Sequence, residues 1–248
     1  MTTGIQLQNW HTDLPDPSGM PYNTFIRNKP MPLTAEQGYK TREENSTIKE
    51  KAVCDAHGLK QIGGSRTKID GSDGVKNKSI KNASGSSTQV HLTTQKHFKE
   101  VLNITGNAAK FIEHFCGNKD YDYMGRDRRF IKEIDEEYTK DFKDFLITNK
   151  TKIIDLIIRN GFDITSVVYN YKDGVFEGEL TYQEIIDKLE DTEWVFLKGG
   201  VHLKLPGEVG KNGKRKRGKS IFHFQREGKK NPDNRYNVLW HIHIHLFK

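Results

Sequence analysis

Cysteine is almost missing from this chain: Cys54 and Cys116 are the only two in 248 residues. Two thiols without metal-type spacing give neither a disulfide framework nor a zinc ribbon, and they read as free thiols of a cytoplasmic protein. No apolar run approaches the length that spans a bilayer, so no membrane partner is expected. The N-terminus lacks the basic-then-apolar layout of a secretory signal. There is no G-x-S-x-G elbow, no P-loop with its Gly-Lys-Ser/Thr, and no Cys-His pair at a recognisable nucleophile spacing. His91 and His97 lack the flanking asparagine pattern of a histidine-based nuclease. No internal repeat is present. Hydrophobic residues make up only 34% of the chain, which is low but enough for one core.

What the chain does have is positive charge. The formal net charge is +7 and the isoelectric point is near 9.2, which suits an anionic partner such as nucleic acid or a membrane surface. The charge is not spread evenly. Residues 206–219 form a Gly/Lys/Arg loop holding Lys211, Lys214, Arg215, Lys216, Arg217 and Lys219.

Residues 63–82 (GGSRTKIDGSDGVKNKSIKN) read as two short antiparallel strands, about 67–75 and 78–83, with a turn near Lys76-Asn77. A two-residue loop puts Asp70 on the same face as Ser79 and Lys81, and Asp73 on the other; a three-residue loop reverses this. An acid and a lysine on one hairpin face can hold a divalent metal over a phosphate and set an ammonium beside an attacking water. The same pattern also describes a plain surface hairpin.

At these residues the chain resembles the MspI-like branch of the PD-(D/E)xK nucleases, small type II restriction endonucleases that cut short palindromes. The resemblance rests on the Gly63-Gly64-Ser65 lead-in, on Asp70 as the "D", and on Ser79-Ile80-Lys81 as the "ExK", followed by small polar residues. It implies that Asp70 and the Ile80 carbonyl ligate Mg²⁺ and that Lys81 orients or deprotonates the water. Ser79 stands where a carboxylate is usual, which leaves the metal short of one anionic ligand. A helix before the hairpin often brings a further acid in this family. Glu44 is the best positional match and Glu50 the next, within a helix expected over 43–57 whose buried stripe would be Ile48, Ala52 and Val53.

The rest of the chain falls into an order consistent with that resemblance. Residues 1–42 read as an N-terminal arm, 43–160 as a catalytic α/β part, and 161–248 as a β-rich DNA-recognition part, possible as one continuous domain. A helix over 94–116, with Phe98, Val101, Leu102, Ala109, Ile112 and Phe115 inward and a break near Gly106, precedes helices at 131–148 and 150–160. Arg126, Arg128 and Arg129 are expected to pair with neighbouring acids. Gln89, on a loop after the hairpin, is a candidate for a base edge. Phe224-Gln225-Arg226 resembles the family's late Gln-Arg-Lys element, with Glu227 replacing its lysine. Gln225 and Arg226 are therefore candidates for base reading, and Lys214, Arg215, Lys216, Arg217 and Lys229 for phosphate contact.

His241, His243 and His245 share one face of the last strand, but three positions at i, i+2 and i+4 span about 14 Å. That spacing argues against one zinc ion and for a polar or DNA-facing surface. The implied fold is α/β, a mixed sheet flanked by helices with a C-terminal β-rich part. The implied activity is Mg²⁺-dependent hydrolysis of double-stranded DNA at a short palindrome. A monomer is permitted, and a cognate DNA methyltransferase is expected in the host. Two other readings stay open: a sequence-specific DNA-binding protein with a degenerate site, and a homing or structure-selective nuclease with the same core.

Overall fold

The computed structural model describes residues 36–37, 40, 48–63, 67–83, 87–171, 176–209, 213–214, 216, 218–226 and 236–243. The chain divides into two compact units, residues 1–43 and 44–248. In the first, residues 36, 37 and 40 are helical and the remainder lies outside the described residues. Nearly all of the arm expected over 1–42 is therefore outside them.

In the second unit the elements run, in chain order, α1 Glu50–Ala56, β1 Lys60–Gln61, β2 Gly71–Ser72, β3 Asn77–Ala83, β4 Ser87–Thr94, α2 Gln95–Leu102 and α3 Gly106–Cys116. A 3-10 turn Ile131–Glu133 leads into α4 Glu136–Thr148 and α5 Lys150–Ile158. Then come β5 Ser166–Tyr171, β6 Phe176–Thr181, α6 Tyr182–Asp187, β7 Glu193–Leu197, β8 Gly200–Lys204, β9 Ser220–Arg226 and β10 Asn237–His243. No described helix is long and apolar enough to cross a membrane.

The strands form two five-stranded sheets, β1-β2-β3-β5-β6 and β4-β10-β9-β8-β7. The first is mixed, because β3 and β5 run parallel while its other pairs are antiparallel. A parallel pair needs a long crossover, and here residues 84–165 supply it, carrying β4 and α2 to α5. The protein is thus α/β, with a mixed sheet that carries the expected hairpin and helices against the sheets. The two sheets interleave across residue 160: β4 joins the C-terminal strands, while β5 and β6 extend the hairpin's sheet.

The main core lies between the second sheet and α2 to α5. Strands β9 and β10 alternate, so Phe222, Phe224, Val238, Trp240 and Ile242 face inward and are fully buried. They meet Phe98, Phe111, Phe115 and Phe142 from the helices, with Phe224 and Trp240 stacked at 5.3 Å and Phe111 and Phe142 at 4.5 Å. Each such side chain contributes roughly 1.5–3 kcal/mol on burial. A smaller cluster of Val53, Cys54, Leu59, Ile80 and Val168 lies beneath the hairpin. Both cysteines are free and buried.

Several expectations are corrected. Helix α1 starts at Glu50, after a π-type turn at Ile48-Lys49. Its buried residues are Val53 and Cys54, whereas Ile48 is 65% exposed and Ala52 is exposed. A two-turn helix docks through one short stripe, and the Leu59 and Ile80 side chains select this one. The helix expected over 94–116 with a break near Gly106 is two helices, the second starting at Gly106. It breaks at Asn103, which adopts φ 54°, a left-handed conformation that ends α2. Val101 is 40% exposed, off the buried face. The segment around Gln89 is an eight-residue strand, not a loop.

Candidate active site

The hairpin turn is longer than expected, but its parity is the same. Gly71 pairs with Lys78 and Ser72 with Asn77, leaving the four-residue turn 73–76. Any even-length loop in this register sets Asp70 opposite Ser79, with both side chains on one face. Asp73 does not lie on the opposite strand face. It closes the turn, its Oδ1 accepting from the Val75 and Lys76 amides at 2.9 and 2.7 Å. Those bonds hold its carboxyl below the ordinary range.

Asp70 is fixed on all sides. Its amide donates to the Lys78 carbonyl at 3.0 Å and its carbonyl accepts from Ile62 at 3.0 Å. Its Oδ2 accepts the Ser79 hydroxyl at 3.1 Å, the Ile80 amide at 2.6 Å and the Lys81 ammonium at 3.3 Å. All three donors converge on Oδ2, and Oδ1 has no hydrogen-bond partner among the described residues. The side chains of Asp70 and Lys81 are only 14% and 17% exposed. The Lys81 ammonium also donates to the Ile80 carbonyl at 3.1 Å. It therefore spans the carboxylate and the carbonyl that the resemblance assigns to a metal. Lys78, one residue out of phase, pairs instead with Glu179 at 3.0 Å.

Ser79 is 1% exposed, and its hydroxyl is spent on Asp70. That bond fixes the Asp70 carboxylate from the opposite strand. Glu50 opens α1. Burial first, and then the negative charge of Asp70, push its carboxyl from 4.5 up to about 7, while Lys81 pulls it back. Glu50 is thus in the electrostatic field of both hairpin residues. Glu44 lies outside the described residues. The sequence ranked Glu50 second to Glu44 by register alone, because the helix start at residue 50 was not legible.

Lys68 was not anticipated. Its ammonium donates to the Val90 carbonyl on β4 and to the Ile157 carbonyl of α5 at 3.1 Å. Burial, reinforced by the positive Lys81 nearby, lowers its pKa to about 7. It anchors the hairpin segment to β4 of the second sheet and to α5. The signal for it, a lysine two residues before the acid inside an apolar-flanked run, is too common to single out.

The oxygen donors Asp70, Glu50 and the Ile80 carbonyl suit a hard divalent cation such as Mg²⁺. Asp70 Oδ1, with no described partner, gives such an ion an oxygen to bind.

The candidate DNA residues divide. Gln89 is an exposed strand residue paired with His241, and Gln225 lies two positions along β9 from His223. Gln89, Gln225, His202, His223, His241 and His243 all lie on the outer face of the second sheet, opposite the core side chains. Arg226 lies on the other face. Its guanidinium donates to the Arg129 carbonyl at 2.8 Å and sits over the Phe115 and Phe130 rings at 5.6 and 5.0 Å. The alternation of β9 sends Gln225 and Arg226 to opposite sides, so the strand does not offer them together as one base-reading pair. Arg126 pairs with Glu133 at 3.1 Å and Arg128 with Asp127 at 2.8 Å, in the intramolecular pairing expected of them. In the basic loop Lys214 is exposed, and Lys216 is exposed with its ammonium 3.7 Å from Glu208. Arg215, Arg217, Lys211 and Lys229 lie outside the described residues, as does His245.

No family model matches the chain, and no curated protein matches it. Among solved structures, the restriction endonuclease MspI in complex with its cognate DNA superposes with a TM-score of 0.45 at 8% identity, over 82% of each chain.

Proposed function

We propose that this protein is a type II restriction endonuclease that hydrolyses double-stranded DNA at a short palindrome, with Mg²⁺ as its cofactor. The observation that carries the reading is the convergence at Asp70. One partly buried carboxylate is held by Ser79 and the Ile80 amide, a lysine ammonium bridges it to the Ile80 carbonyl, and a second acid, Glu50, feels the charge of both. A fold gains little from two acids and two lysines crowded under partial burial, because each charge costs desolvation. Such clusters are characteristic of chemistry on charged substrates.

In this reading Asp70, Glu50 and the Ile80 carbonyl hold the metal. When bound, the ion activates water and neutralises charge on the scissile phosphate. Ser79 and the Ile80 amide fix the Asp70 carboxylate so that Oδ1 faces the ligand. Lys81 stabilises negative charge developing on the phosphate oxygens and orients the water, from an ammonium already held between the Asp70 carboxylate and the Ile80 carbonyl. Lys68 anchors the hairpin segment through the Val90 and Ile157 carbonyls. The basic loop neutralises backbone phosphates, and the outer face carrying Gln89 and Gln225 is the candidate base-reading surface.

The case for a DNA-binding protein with a degenerate site began from Ser79. It weakens once Glu50 supplies the carboxylate that Ser79 does not. The deciding experiment is digestion of a plasmid of known sequence in Mg²⁺ and in EDTA, with the ends mapped. Discrete Mg²⁺-dependent fragments sharing a short palindrome are expected. An intact plasmid retained specifically in a binding assay overturns the nuclease reading, and cuts set by DNA shape replace it with a structure-selective one.

A further inference from the structure

The outer face of the second sheet carries a row of imidazoles that the nuclease chemistry does not use. His202 on β8 is the direct cross-strand neighbour of His223 on β9, and His223 is the direct neighbour of His241 on β10. The His202 and His223 rings stack at 5.1 Å, and those of His223 and His241 at 4.7 Å. His243 folds back over His223 at 4.8 Å, with His243 Nε2 2.6 Å from His223 Nδ1. One ligating nitrogen from each of His202, His223 and His243 lies within 4.8 Å of the other two.

We propose that His202, His223 and His243 form a zinc-binding site that ties β8, β9 and β10 together. Three imidazoles from three adjacent strands converge here. The spacing argument against zinc concerned a different set, His241, His243 and His245 along one strand. Tetrahedral zinc with Zn–N bonds of about 2.0–2.1 Å holds its ligand atoms about 3.3 Å apart, so small side-chain rotations close this set around one ion. The Ser220 hydroxyl, 2.9 Å from His202 Nδ1, holds that ring in place, as polar neighbours of metal-bound imidazoles do. His223 is 5% exposed, while His202 and His243 are half-buried, which leaves the fourth position open to water. The all-nitrogen donor set selects zinc-class ions and rejects Mg²⁺, so this site is chemically distinct from the oxygen set at Asp70. Its effect is to stiffen the sheet face that also presents Gln89 and Gln225.

The test uses the full-length protein stripped with EDTA and titrated with Zn²⁺ alone, followed by metal analysis after gel filtration. One retained Zn²⁺ per chain is expected, with the unfolding midpoint raised by a few degrees. His202→Gln and His243→Gln, both at half-buried positions, should each weaken Zn²⁺ binding at least tenfold, while Asp70→Asn leaves it unchanged. Co²⁺ in the wild-type protein should give an intense tetrahedral visible spectrum without thiolate charge-transfer bands, a readout that needs no variant. Zinc retention lost in Asp70→Asn but kept in the histidine variants overturns the proposal. So does a weak, octahedral Co²⁺ spectrum.

Discussion

The Ser79 hydroxyl donates to Asp70 Oδ2 at 3.1 Å, directly across the hairpin, where a second carboxylate would face the first at close range. Two carboxylates at that spacing repel and raise one another's pKa. Here the position opposite Asp70 holds a neutral donor, and on the proposed reading the second acid is Glu50 of α1. The two roles are separable by mutation. Ser79→Ala should cost about 1 kcal/mol of stability for the lost buried hydrogen bond and reduce cleavage by roughly tenfold or less. Cleavage abolished in Ser79→Ala, with the fold intact by circular dichroism, would return Ser79 to the catalytic set.

Asp70 and Lys81 should behave differently from Ser79. Asp70→Asn keeps the shape and the Oδ2 acceptor but loses the charge, and Lys81→Ala removes the ammonium. Each should slow cleavage by about 10²–10⁴-fold or more while leaving DNA affinity within a few-fold. Single-turnover cleavage and equilibrium binding on the same duplex separate the two effects. A wild-type cleavage rate in either variant excludes the assignment.

Glu50 makes a signed pH prediction. Its carboxyl is raised from 4.5 to about 7 in the folded state. Between those values the folded state holds a proton that the unfolded state has lost, so stability falls as pH rises through that window. Below pH 4.5 both states are protonated, and the residue contributes nothing. Glu50→Gln should therefore match wild type near pH 4 and exceed it near pH 8 by about 1–2 kcal/mol, after discounting for partial solvent exposure. The same variant should lose cleavage by at least tenfold at pH 8. Chemical denaturation at the two pH values reads the first effect. Equal stability of the two proteins at pH 8 would mean that Glu50 is neither desolvated by burial nor held beside the Asp70 charge.

How much of this was legible in the sequence follows the range of each signal. The hairpin face was readable because parity depends only on whether the loop is even, and a four-residue turn preserves what a two-residue turn predicts. The β-rich character expected of 161–248 was readable from its β-branched and aromatic stretches, and the structure places strands there at 166–171, 176–181, 193–197, 200–204, 220–226 and 237–243. Strand β6 is hard to read in sequence because Glu177 and Glu179 interrupt its pattern; Glu179 is held by Lys78 and Ser166. The convergence of Glu50 on Asp70, the anchoring of Lys68 on Val90, and the histidine row are products of which strands lie side by side. One-dimensional spacing carries no record of that order. The assignment of β4 to the second sheet and of β5 to the first is of the same kind.

Arg226 and Gln225 are adjacent in sequence but lie on opposite faces of β9, so their substitutions should have unlike consequences. Arg226→Ala removes a guanidinium that bonds the Arg129 carbonyl and covers Phe115 and Phe130. A half-buried cation so placed contributes about 1–3 kcal/mol. The expected result is a lower unfolding midpoint, with discrimination between DNA sites unchanged. Gln225→Ala leaves stability near wild type. On the proposed reading it relaxes discrimination at one base pair by about 1–3 kcal/mol. Replacing Lys214 and Lys216 together should weaken binding to every sequence alike and shrink the salt slope by about 0.9 per lost phosphate contact. Affinities for cognate and scrambled duplexes, measured across a salt series, distinguish all three. A loss of discrimination in Arg226→Ala at full stability would put its side chain in the groove and reverse the assignment of the two faces.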